Sequence, residues 1–275
     1  MQLELRPAIS CRFAELADIL NQSFIDYLIK IEVDGPTLAH LTRCEGTDLT
    51  ASRLIVRDDQ VVGCALIGRR GWSCRLAAMG LIPEARRQGI GLWTMRQLIA
   101  EAKARGEREM VLEVIEQNDP AVQLYRQAGF QVYRRLLGYK LVTPAGQPDD
   151  QLQEVDLQEV AWAVNTYGLP DLPWQLSGAT LIETGPPHRG YQLGPAYAAI
   201  SDPHYSKISL RGLIVHPDHQ RQGHGSRLLQ ALFAAYPGKS WQVPVVYPEE
   251  LTYIFEKLNF EPELLSQFQM TLDLN

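Results

Sequence analysis

The apolar and polar positions of this chain follow two periods, which predicts a mixed fold of short strands and amphipathic helices. Phe13–Ile31 carries apolar residues at helical spacing, whereas Leu76–Ile82 is a short apolar run typical of a buried strand. The first half then has the order β-α-α-β-β-β-α-β-α-β. The other predicted elements are strands Leu3–Ile9, Ser52–Arg57, Val61–Gly68, Met110–Ile115 and two closing strands within Gln131–Val142, and helices Thr37–Cys44, Gly89–Arg105 and Asn118–Gly129.

The second half starts after a polar stretch rich in Pro and Gly, Thr143–Asp150. We interpret it as a linker and predict two domains, 1–143 and 153–275, joined by residues 144–152. Gly and Pro are so frequent in residues 168–190 that no element is assigned there. The predicted elements are strands Tyr191–Ile200, Ile208–Val215, Trp241–Val246 and Phe268–Leu274, and helices Val155–Tyr167, Gly225–Tyr236 and Glu250–Leu258.

One motif occurs twice, 134 residues apart, as Met79–Gly91 and Leu213–Gly225. Each copy is an apolar run, a Pro turn and a Gly-rich loop that opens a helix, and two copies at one offset indicate duplication. Glycines leave backbone amides open to an anion, and the start of a helix adds partial positive charge. Each loop therefore predicts a pyrophosphate site. A dinucleotide loop needs a third Gly, which neither copy has, and the chain has no Gly-Lys-Ser/Thr motif.

The loops Arg86-x-x-Gly-x-Gly91 and Gln220-x-x-Gly-x-Gly225 resemble the acyl-CoA loop of the GCN5-related N-acetyltransferases (GNAT), Gln/Arg-x-x-Gly-x-Gly/Ala. The resemblance implies an α/β (α+β) chain of two tandem acyl-CoA N-acetyltransferase folds. Each would be a mixed, mostly antiparallel sheet with a splayed strand pair, flanked by helices. It also implies that both loops hold the pyrophosphate of acetyl-CoA, the co-substrate. The binding residues it implies are Met79, Gly80, Leu81, Ile82, Arg86, Arg87, Gln88, Gly89, Ile90 and Gly91, then Ile214, Val215, Gln220, Arg221, Gln222, Gly223, His224 and Gly225.

Acetyl transfer to an amine requires a neutral amine, a polarised carbonyl and an acid for the departing thiolate. Leu112–Phe130 resembles the family pattern Leu-Glu-Val, then Asn-x-x-Ala, then Leu-Tyr-x-x-x-Gly-Phe. By that resemblance Tyr125 is the general acid at the sulfur, Glu113 is a candidate base and Asn118 contacts the pantetheine arm. The residues alone leave other roles open: Tyr125 as core, Asn118 as a helix cap, and a water chain as the base. Glu113 also stands out as the one charge within its predicted strand.

The family resemblance also places carbonyl polarisation and the acceptor pocket. Backbone N–H groups of Met79–Ile82 would polarise the thioester carbonyl, beside a bulge that splays this strand from the next. The first two helices would shape the acceptor pocket and bring Phe24, Asp26 and Tyr27 near the substrate, although core packing explains the two aromatic residues equally well.

The second copy departs from the pattern, because alignment on the following Phe puts Phe255 at the place of Tyr125. A phenylalanine cannot donate a proton. We therefore expect the amino-terminal domain to transfer acetyl groups to a primary amine of a small molecule or peptide, and the second domain to keep only its CoA loop. Two alternatives remain: a non-catalytic acyl-CoA-binding or sensor protein, and a transferase with its active site in the carboxyl-terminal domain.

The charge and the length of the apolar runs argue against nucleic acid and membranes as partners. Residues 1–144 have a net charge of +2 and residues 145–275 a net charge of −8, without basic runs, so nucleic acid is not expected as a partner. No apolar run is long enough to span a bilayer, and the start of the chain lacks a signal-peptide pattern, so we expect a cytoplasmic protein without membrane contact. The expected partners are acetyl-CoA and an amine acceptor; a homodimer is left open.

Cysteine and histidine usage favours no metal. All four cysteines lie within the first 74 residues without a Cys-x-x-Cys pair, which favours free buried thiols. His216, His219 and His224 are close in sequence, but no acidic or thiol ligand completes a set and His224 lies in the phosphate loop. We predict no metal site.

Overall fold

The computed structural model describes residues 2–275, which form two compact units. The first unit runs to Tyr133 and includes Phe268–Asn275, and the second is Arg134–Gln267. The strands are β1 (Leu3–Pro7), β2 (Arg53–Arg57), β3 (Gln60–Arg70), β4 (Ser73–Leu81), β5 (Glu109–Ile115), β6 (Gln131–Leu141), β7 (Gln153–Val155), β8 (Arg189–Leu193), β9 (Ala196–Ile200), β10 (Lys207–Val215), β11 (Ser240–Pro248), β12 (Glu261–Pro262) and β13 (Gln267–Asp273).

Helices alternate with these strands. The α-helices are α1 (Phe13–Ser23), α2 (Gly35–Cys44), α3 (Ile90–Ala104), α4 (Asp119–Gln127), α5 (Leu157–Tyr167), α6 (Gly178–Thr184), α7 (His224–Ala235) and α8 (Tyr253–Lys257), and short 3-10 turns cover Ala8–Ser10, Pro83–Ala85, Trp174–Leu176, Pro217–His219 and Glu249–Leu251.

The first unit is a sheet with helices on both faces. Its strand order is β1-β2-β3-β4-β5-β13. The β1–β2, β2–β3 and β3–β4 pairs are antiparallel, and the β4–β5 pair is parallel. Side chains of β3 alternate: Cys64 and Leu66 pack with α1 and α2, whereas Ala65 and Ile67 pack with α3 and α4. The strand directions, together with helices on both faces, confirm the predicted mixed, mostly antiparallel fold class.

The second unit repeats this design. Its strand order is β6-β11-β10-β9-β8-β7, with β12 beside β6, and β10–β11 is its parallel pair. In β9, Ala198 and Ile200 pack into the cluster that contains α7, whereas Ala199 faces α5 and α6. Both units therefore place one parallel strand pair between two helical layers.

The compact units divide the chain differently from the predicted domains 1–143 and 153–275. Most of β6 belongs to the second unit, and the last strand, β13, belongs to the first. In the first unit the chain end is held beside β5: the Leu274 amide donates to the Arg108 carbonyl at 2.9 Å, and Thr271 Oγ1 donates to Glu109 Oε1 at 2.8 Å. Hydrophobic periodicity contains no signal for such an exchange of end strands.

The first helix is shorter than predicted, ending at Ser23 rather than Ile31. The Asn21 side chain folds the following loop back, because it donates to the Val33 carbonyl at 2.8 Å and accepts from the Val33 amide at 3.0 Å. Arg86 also donates to the Ser23 carbonyl, at 3.3 Å, and so satisfies a carbonyl at the helix end.

Two other predicted elements are wrong because of glycine. Gln131–Val142 is one strand, β6, since Gly138 is a close approach of β11 rather than a turn: a Cβ there would lie 3.0 Å from Val245 Cα. The predicted strand Tyr191–Ile200 is a hairpin, β8 and β9, which turns at Gly194 with φ of 57°. In residues 2–275, no helix combines the length and apolarity needed to cross a membrane.

Candidate functional site

The central strands of the first unit separate towards their carboxyl ends. Parallel pairing of β4 with β5 extends to Leu76 and Leu112, and the strands continue to Leu81 and Ile115 beyond the paired register. On its other edge, β4 shifts register against β3 at Ala77, which forms a bulge. The splayed strand pair expected from the resemblance is therefore present, and predicted binding residues Met79 to Ile82 follow the bulge.

The loop after β4 has a conformation that only a few residues tolerate. After a 3-10 turn at Pro83–Ala85, Arg87 and Gly89 adopt positive φ angles of 58° and 76°. Gly89 then caps α3, whose first helical hydrogen bond joins the Trp93 amide to the Gly89 carbonyl at 3.0 Å. The amides before Trp93 have no partner within the helix, so this turn presents N–H groups and the positive end of the helix dipole.

The second unit repeats this loop residue for residue. Its 3-10 turn is Pro217–His219, and Arg221 and Gly223 have positive φ angles of 60° and 91°. The Arg227 amide donates to the Gly223 carbonyl at 2.9 Å. The strand before it, β10, has its register shift at Arg211, and predicted residues Ile214 and Val215 end that strand. The offset of 134 residues thus holds for the bulge and for both left-handed residues.

Matching side chains brace both loops from within. Arg86 Nε donates to the Leu81 carbonyl at 2.9 Å, and Gln220 Nε2 donates to the Val215 carbonyl at 3.1 Å. A second matched pair of bonds is Gln88 Nε2 to the Glu84 carbonyl at 2.7 Å and Gln222 Nε2 to the Asp218 carbonyl at 3.0 Å. These side chains preorganise the backbone, and contact of Arg86 with a phosphate stays a prediction.

The two glycines of each loop have different functions. A Cβ at Gly89 or Gly223 would meet nothing within 4 Å, so their requirement is the left-handed backbone and open space outside it. A Cβ at Gly91 would instead lie 2.6 Å from Leu124 Cδ1 of α4, and one at Gly225 would lie 2.9 Å from Ile254 Cδ1 of α8. The first glycine of each pair leaves the outside of the loop open, and the second lets the following helix pack closely against its neighbour.

Tyr125 lies on α4 beside the separated strands. It is 8% exposed and shares a buried cluster with Val114 of β5 and Met79 of β4. Its ring meets Phe130 edge-on at a centroid distance of 6.0 Å. Burial raises the pKa of the Tyr125 phenol, and the nearby Tyr27 raises it further, so the hydroxyl keeps its proton at neutral pH. This phenol can act as an acid.

Asn118 and Tyr27 meet at the same place. Asn118 caps α4 by accepting from the Ala121 amide at 3.3 Å, which is the structural role foreseen for it. Burial raises the pKa of Tyr27, and a hydrogen bond with the Asn118 side chain acts in the opposite direction. Tyr27 packs edge-on against Phe24 at 5.0 Å, and a Cβ at Gly80 would lie 2.8 Å from the Phe24 ring. The loop after α1 therefore reaches the end of β4.

Glu113 of β5 is paired with a buried arginine of the neighbouring strand β4. Its side chain is 3% exposed, and its Oε2 lies 2.7 Å from Nε of Arg75, which is itself buried in β4. Arg75 also reaches Glu45 Oε2 at 2.6 Å. Burial alone would lower the pKa of Arg75, but the carboxylates of Glu113 and Glu45 outweigh it and raise the pKa. Sequence reasoning missed Arg75, although a charge in the middle of an apolar strand is the signal that singled out Glu113.

The second unit has phenylalanine where the first has its buried phenol. The Phe260 amide donates to the Phe255 carbonyl at 3.0 Å, as the Phe130 amide does to the Tyr125 carbonyl, also at 3.0 Å. Phe255 is fully buried. The equivalence predicted by alignment therefore holds in three dimensions, and Tyr253, 75% exposed, is no substitute.

Sequence reasoning missed a phenol in the second unit. Tyr247, at the end of β11, is 5% exposed and packs edge-on against Phe255 at 5.3 Å. Among the described residues its hydroxyl has no hydrogen-bond partner. Burial raises its pKa, against the effect of the positive charge of Arg211 at the β10 bulge. A buried hydroxyl thus remains near the second strand split, on a strand rather than a helix.

The three histidines of the second loop contact one another as rings. His219 lies 5.7 Å from His216 and 5.8 Å from His224 between centroids. Over residues 2–275, no group of three or more His, Cys, Asp or Glu side chains is arranged to hold a metal ion.

Two regions of the chain match models of one family. Residues 14–130 match the Acetyltransferase (GNAT) family, and residues 188–262 match the Acetyltransferase (GNAT) domain. The matches cover both strand splits and both glycine loops.

Solved structures share the fold over the whole chain at low identity. A putative acetyltransferase from Pyrococcus horikoshii is 15% identical with a TM-score of 0.69, covering 98% of this chain and 89% of that one. A tandem GNAT protein from the clavulanic acid biosynthesis pathway is 14% identical with a TM-score of 0.68, covering 100% and 99%. A GCN5-related N-acetyltransferase from Sphaerobacter thermophilus is 13% identical with a TM-score of 0.67, covering 99% and 96%.

Proposed function

Because this chain belongs to the GNAT acetyltransferase family and carries two of its domains in tandem, we propose that its first unit transfers an acetyl group from acetyl-CoA to a primary amine of a small molecule or peptide. One observation carries the proposal: the buried phenol of Tyr125 lies beside the separated strands, next to a loop that presents free amides. The second unit has that loop with Phe255 at the matching place.

The loop of the first unit is the proposed diphosphate site. Gly89 gives it the left-handed turn, and the open space at its missing Cβ lets a ligand approach the amides that begin α3. Gln88 holds the turn by its bond to the Glu84 carbonyl, and exposed Arg87 adds a positive charge. The pantetheine arm would enter between β4 and β5, where backbone groups from Met79 to Ile82 are available to bond it.

The proposed reaction exchanges one bond at the acetyl carbon. The neutral amine attacks the thioester carbonyl, whose developing negative charge is stabilised by an N–H of β4 beyond the bulge. As the carbon–sulfur bond breaks, Tyr125 donates its proton to the thiolate, which leaves as CoA thiol. The proton released by the amine later returns through solvent to the phenolate, so charge and protons balance.

The acceptor must lose its ammonium proton before the neutral amine attacks. Glu113 is nearly enclosed and held by Arg75. We therefore propose that water carries the ammonium proton away, and that the ion pair of Glu113 with Arg75 fixes the strand ends around that water. The carboxylate of Glu113 would then position the strand ends and would not itself accept the proton.

The sharpest test is Tyr125→Phe, which removes one oxygen and keeps the packing. We expect kcat to fall by about tenfold or more, because the leaving thiolate loses its acid, while the affinity for acetyl-CoA stays nearly unchanged. Thioester consumption with a panel of primary amines measures kcat, and equilibrium binding measures the affinity for acetyl-CoA.

The matched control is Tyr253→Phe, the same change at an exposed tyrosine of the second unit. Its kcat should equal that of the parent protein. Unchanged turnover in Tyr125→Phe would remove this phenol from the mechanism, and acetyl-CoA binding without turnover across the whole panel would favour a sensor instead.

For the second unit we propose binding of an acyl-CoA without transfer, which its intact loop and Phe255 support. All four cysteines are free thiols, three of them buried. Free thiols suit a reducing compartment, so we propose that the enzyme works in the cytoplasm.

A further inference from the structure

The second unit has a small surface cavity whose walls are aromatic and acidic. Its volume is about 280 Å³, and it is lined by Gln158, Glu159 and Trp162 of α5 and by Tyr197 of β9. We call these four residues the α5 cage. At the place of Tyr197 the first unit has Cys64, which is fully buried, so this wall of the cage is not repeated there.

Trp162 is the unusual wall of the α5 cage. Its side chain is 55% exposed, although a tryptophan gains more by burial than any other side chain of the cage. Tyr167, five residues further along α5, meets the Trp162 ring edge-on at 5.4 Å and 81°. This ring contact holds the indole in place, and more than half of the residue's surface stays exposed beside the cavity.

Glu159 supplies the charge. It is exposed, and none of the ion pairs within residues 2–275 includes Glu159. Its first-turn position favours α5 by itself, but the carboxylate also lines the cavity. The charge of Glu159 also acts on Tyr197, because burial, Tyr167 and Glu159 all raise the pKa of the Tyr197 phenol. An uncompensated carboxylate beside aromatic faces complements a cation.

The α5 cage adjoins the second glycine loop. Tyr197 pairs across the sheet with Ile214, near the end of β10. Tyr167 packs on His216, the residue that caps the turn into the loop, with ring centroids 4.6 Å apart. The α5 cage is therefore linked to the second glycine loop through the pairing of β9 with β10 and through the ring of Tyr167.

We propose that the α5 cage binds a small organic cation with an alkylated ammonium head group. The ammonium would lie against the faces of Trp162 and Tyr197, with Glu159 as its counter-charge. Gln192 already donates to the Tyr197 hydroxyl at 3.0 Å, which orients that ring and leaves the hydroxyl proton for a ligand. The cage lies wholly in the second unit, so it does not rest on the transferase proposed for the first.

The test titrates the full chain with choline and with 3,3-dimethylbutan-1-ol, its uncharged carbon isostere, by ligand-observed NMR. Choline should bind about fivefold or more tightly than the alcohol, because only the cation gains from the rings and the carboxylate. Trp162→Ala and Glu159→Gln should each weaken choline binding by about five- to tenfold. Thermal melting of each variant verifies that it is folded.

Two control variants separate this site from others. Trp72→Ala removes an equally exposed tryptophan of the first unit, 63% exposed and stacked on Arg108, and should leave choline affinity unchanged. Tyr125→Phe should also leave choline affinity unchanged. The transferase proposal and the cage proposal can therefore be rejected independently of each other. Equal binding of the two probes, undiminished binding in Trp162→Ala or Glu159→Gln, or tighter binding of neutral methyl glucoside would overturn the proposal.

Discussion

The two units have the same strand split and the same glycine turn, but the side chains beside the split differ. In the first unit Tyr125 lies there with the ion pair of Arg75 and Glu113. In the second unit Phe255 stands in place of the phenol, and Tyr247 has a buried hydroxyl without a partner. The strand split and the glycine turn are thus separate from the side chains beside them, because the second unit keeps the backbone features without the phenol at the place of Tyr125.

The largest expected difference between the units is in stability, at Arg75. Arg75→Met leaves Glu113 and Glu45 without their guanidinium, which should cost about 3–5 kcal/mol of the free energy of unfolding. Ser209→Ala, at the matching place in β10, should cost less than about 1 kcal/mol. Urea unfolding followed by circular dichroism measures both. Similar losses would mean that the ion pair contributes nothing particular to the first unit.

The next effect concerns the glycine turns. Gly89→Val puts a branched side chain at a φ of 76°, over the amides of the proposed diphosphate site. The value of kcat/KM for acetyl-CoA should fall by about a hundredfold or more. Gly223→Val, with the same strain at 91°, should reduce turnover far less. Both variants should lose a similar ~1–3 kcal/mol of stability. A larger turnover loss in Gly223→Val would move the active site to the second unit.

As the pH rises, the first unit should begin to lose stability at a lower pH than the second unit. Burial raises the pKa of Cys64 to about 12 and also raises that of Cys74. Their stabilisation is fully present below the unfolded thiol pKa of about 8.5, and falls as the pH rises above it by about 1.4 kcal/mol per pH unit per thiol. The second unit has no cysteine, so its buried tyrosines weaken it only above about pH 10.

The measurement is the urea midpoint of each transition from pH 8 to 11. Cys64→Ala should flatten the decline of the first unit between pH 9 and 10. Simultaneous onset in both units, with no effect of Cys64→Ala, would contradict the role of the thiols.

The smallest effect has the opposite sign. Tyr247→Phe removes a buried hydroxyl without a partner and should leave stability unchanged or raise it by up to about 1 kcal/mol. Tyr139→Phe should behave differently, because the Tyr139 hydroxyl donates to Glu256 Oε1 at 3.2 Å. This variant should lose ~0.5–1.5 kcal/mol of the free energy of unfolding. Destabilisation by Tyr247→Phe comparable to that of Tyr139→Phe would show that the hydroxyl has a partner.

Local signals in the sequence were enough for much of this architecture. The strand and helix order of the first half, the two anion loops and the match of Phe255 with Tyr125 all depend on short motifs and hydrophobic period. The end of α1 was not readable, since it depends on Asn21 reaching Val33 and on Arg86 reaching Ser23, 63 residues away.

Long-range pairing explains the other failures. Arg75 and Glu113 are 38 residues apart on neighbouring strands, and each looks like an unexplained charge until the parallel register joins them. Tyr247 was hidden for a similar reason: within β11 it continues an apolar pattern, and only packing shows that its hydroxyl is enclosed.

If the phenol of Tyr125 protonates the departing sulfur, its importance should depend on the leaving group of the acyl donor. Steady-state turnover of the parent protein and of Tyr125→Phe should be compared for acetyl-CoA and for its selenoester, whose selenolate departs without needing a proton. We predict a loss of about tenfold or more with the thioester and little loss with the selenoester. Equal losses with both donors would contradict a proton donated by Tyr125.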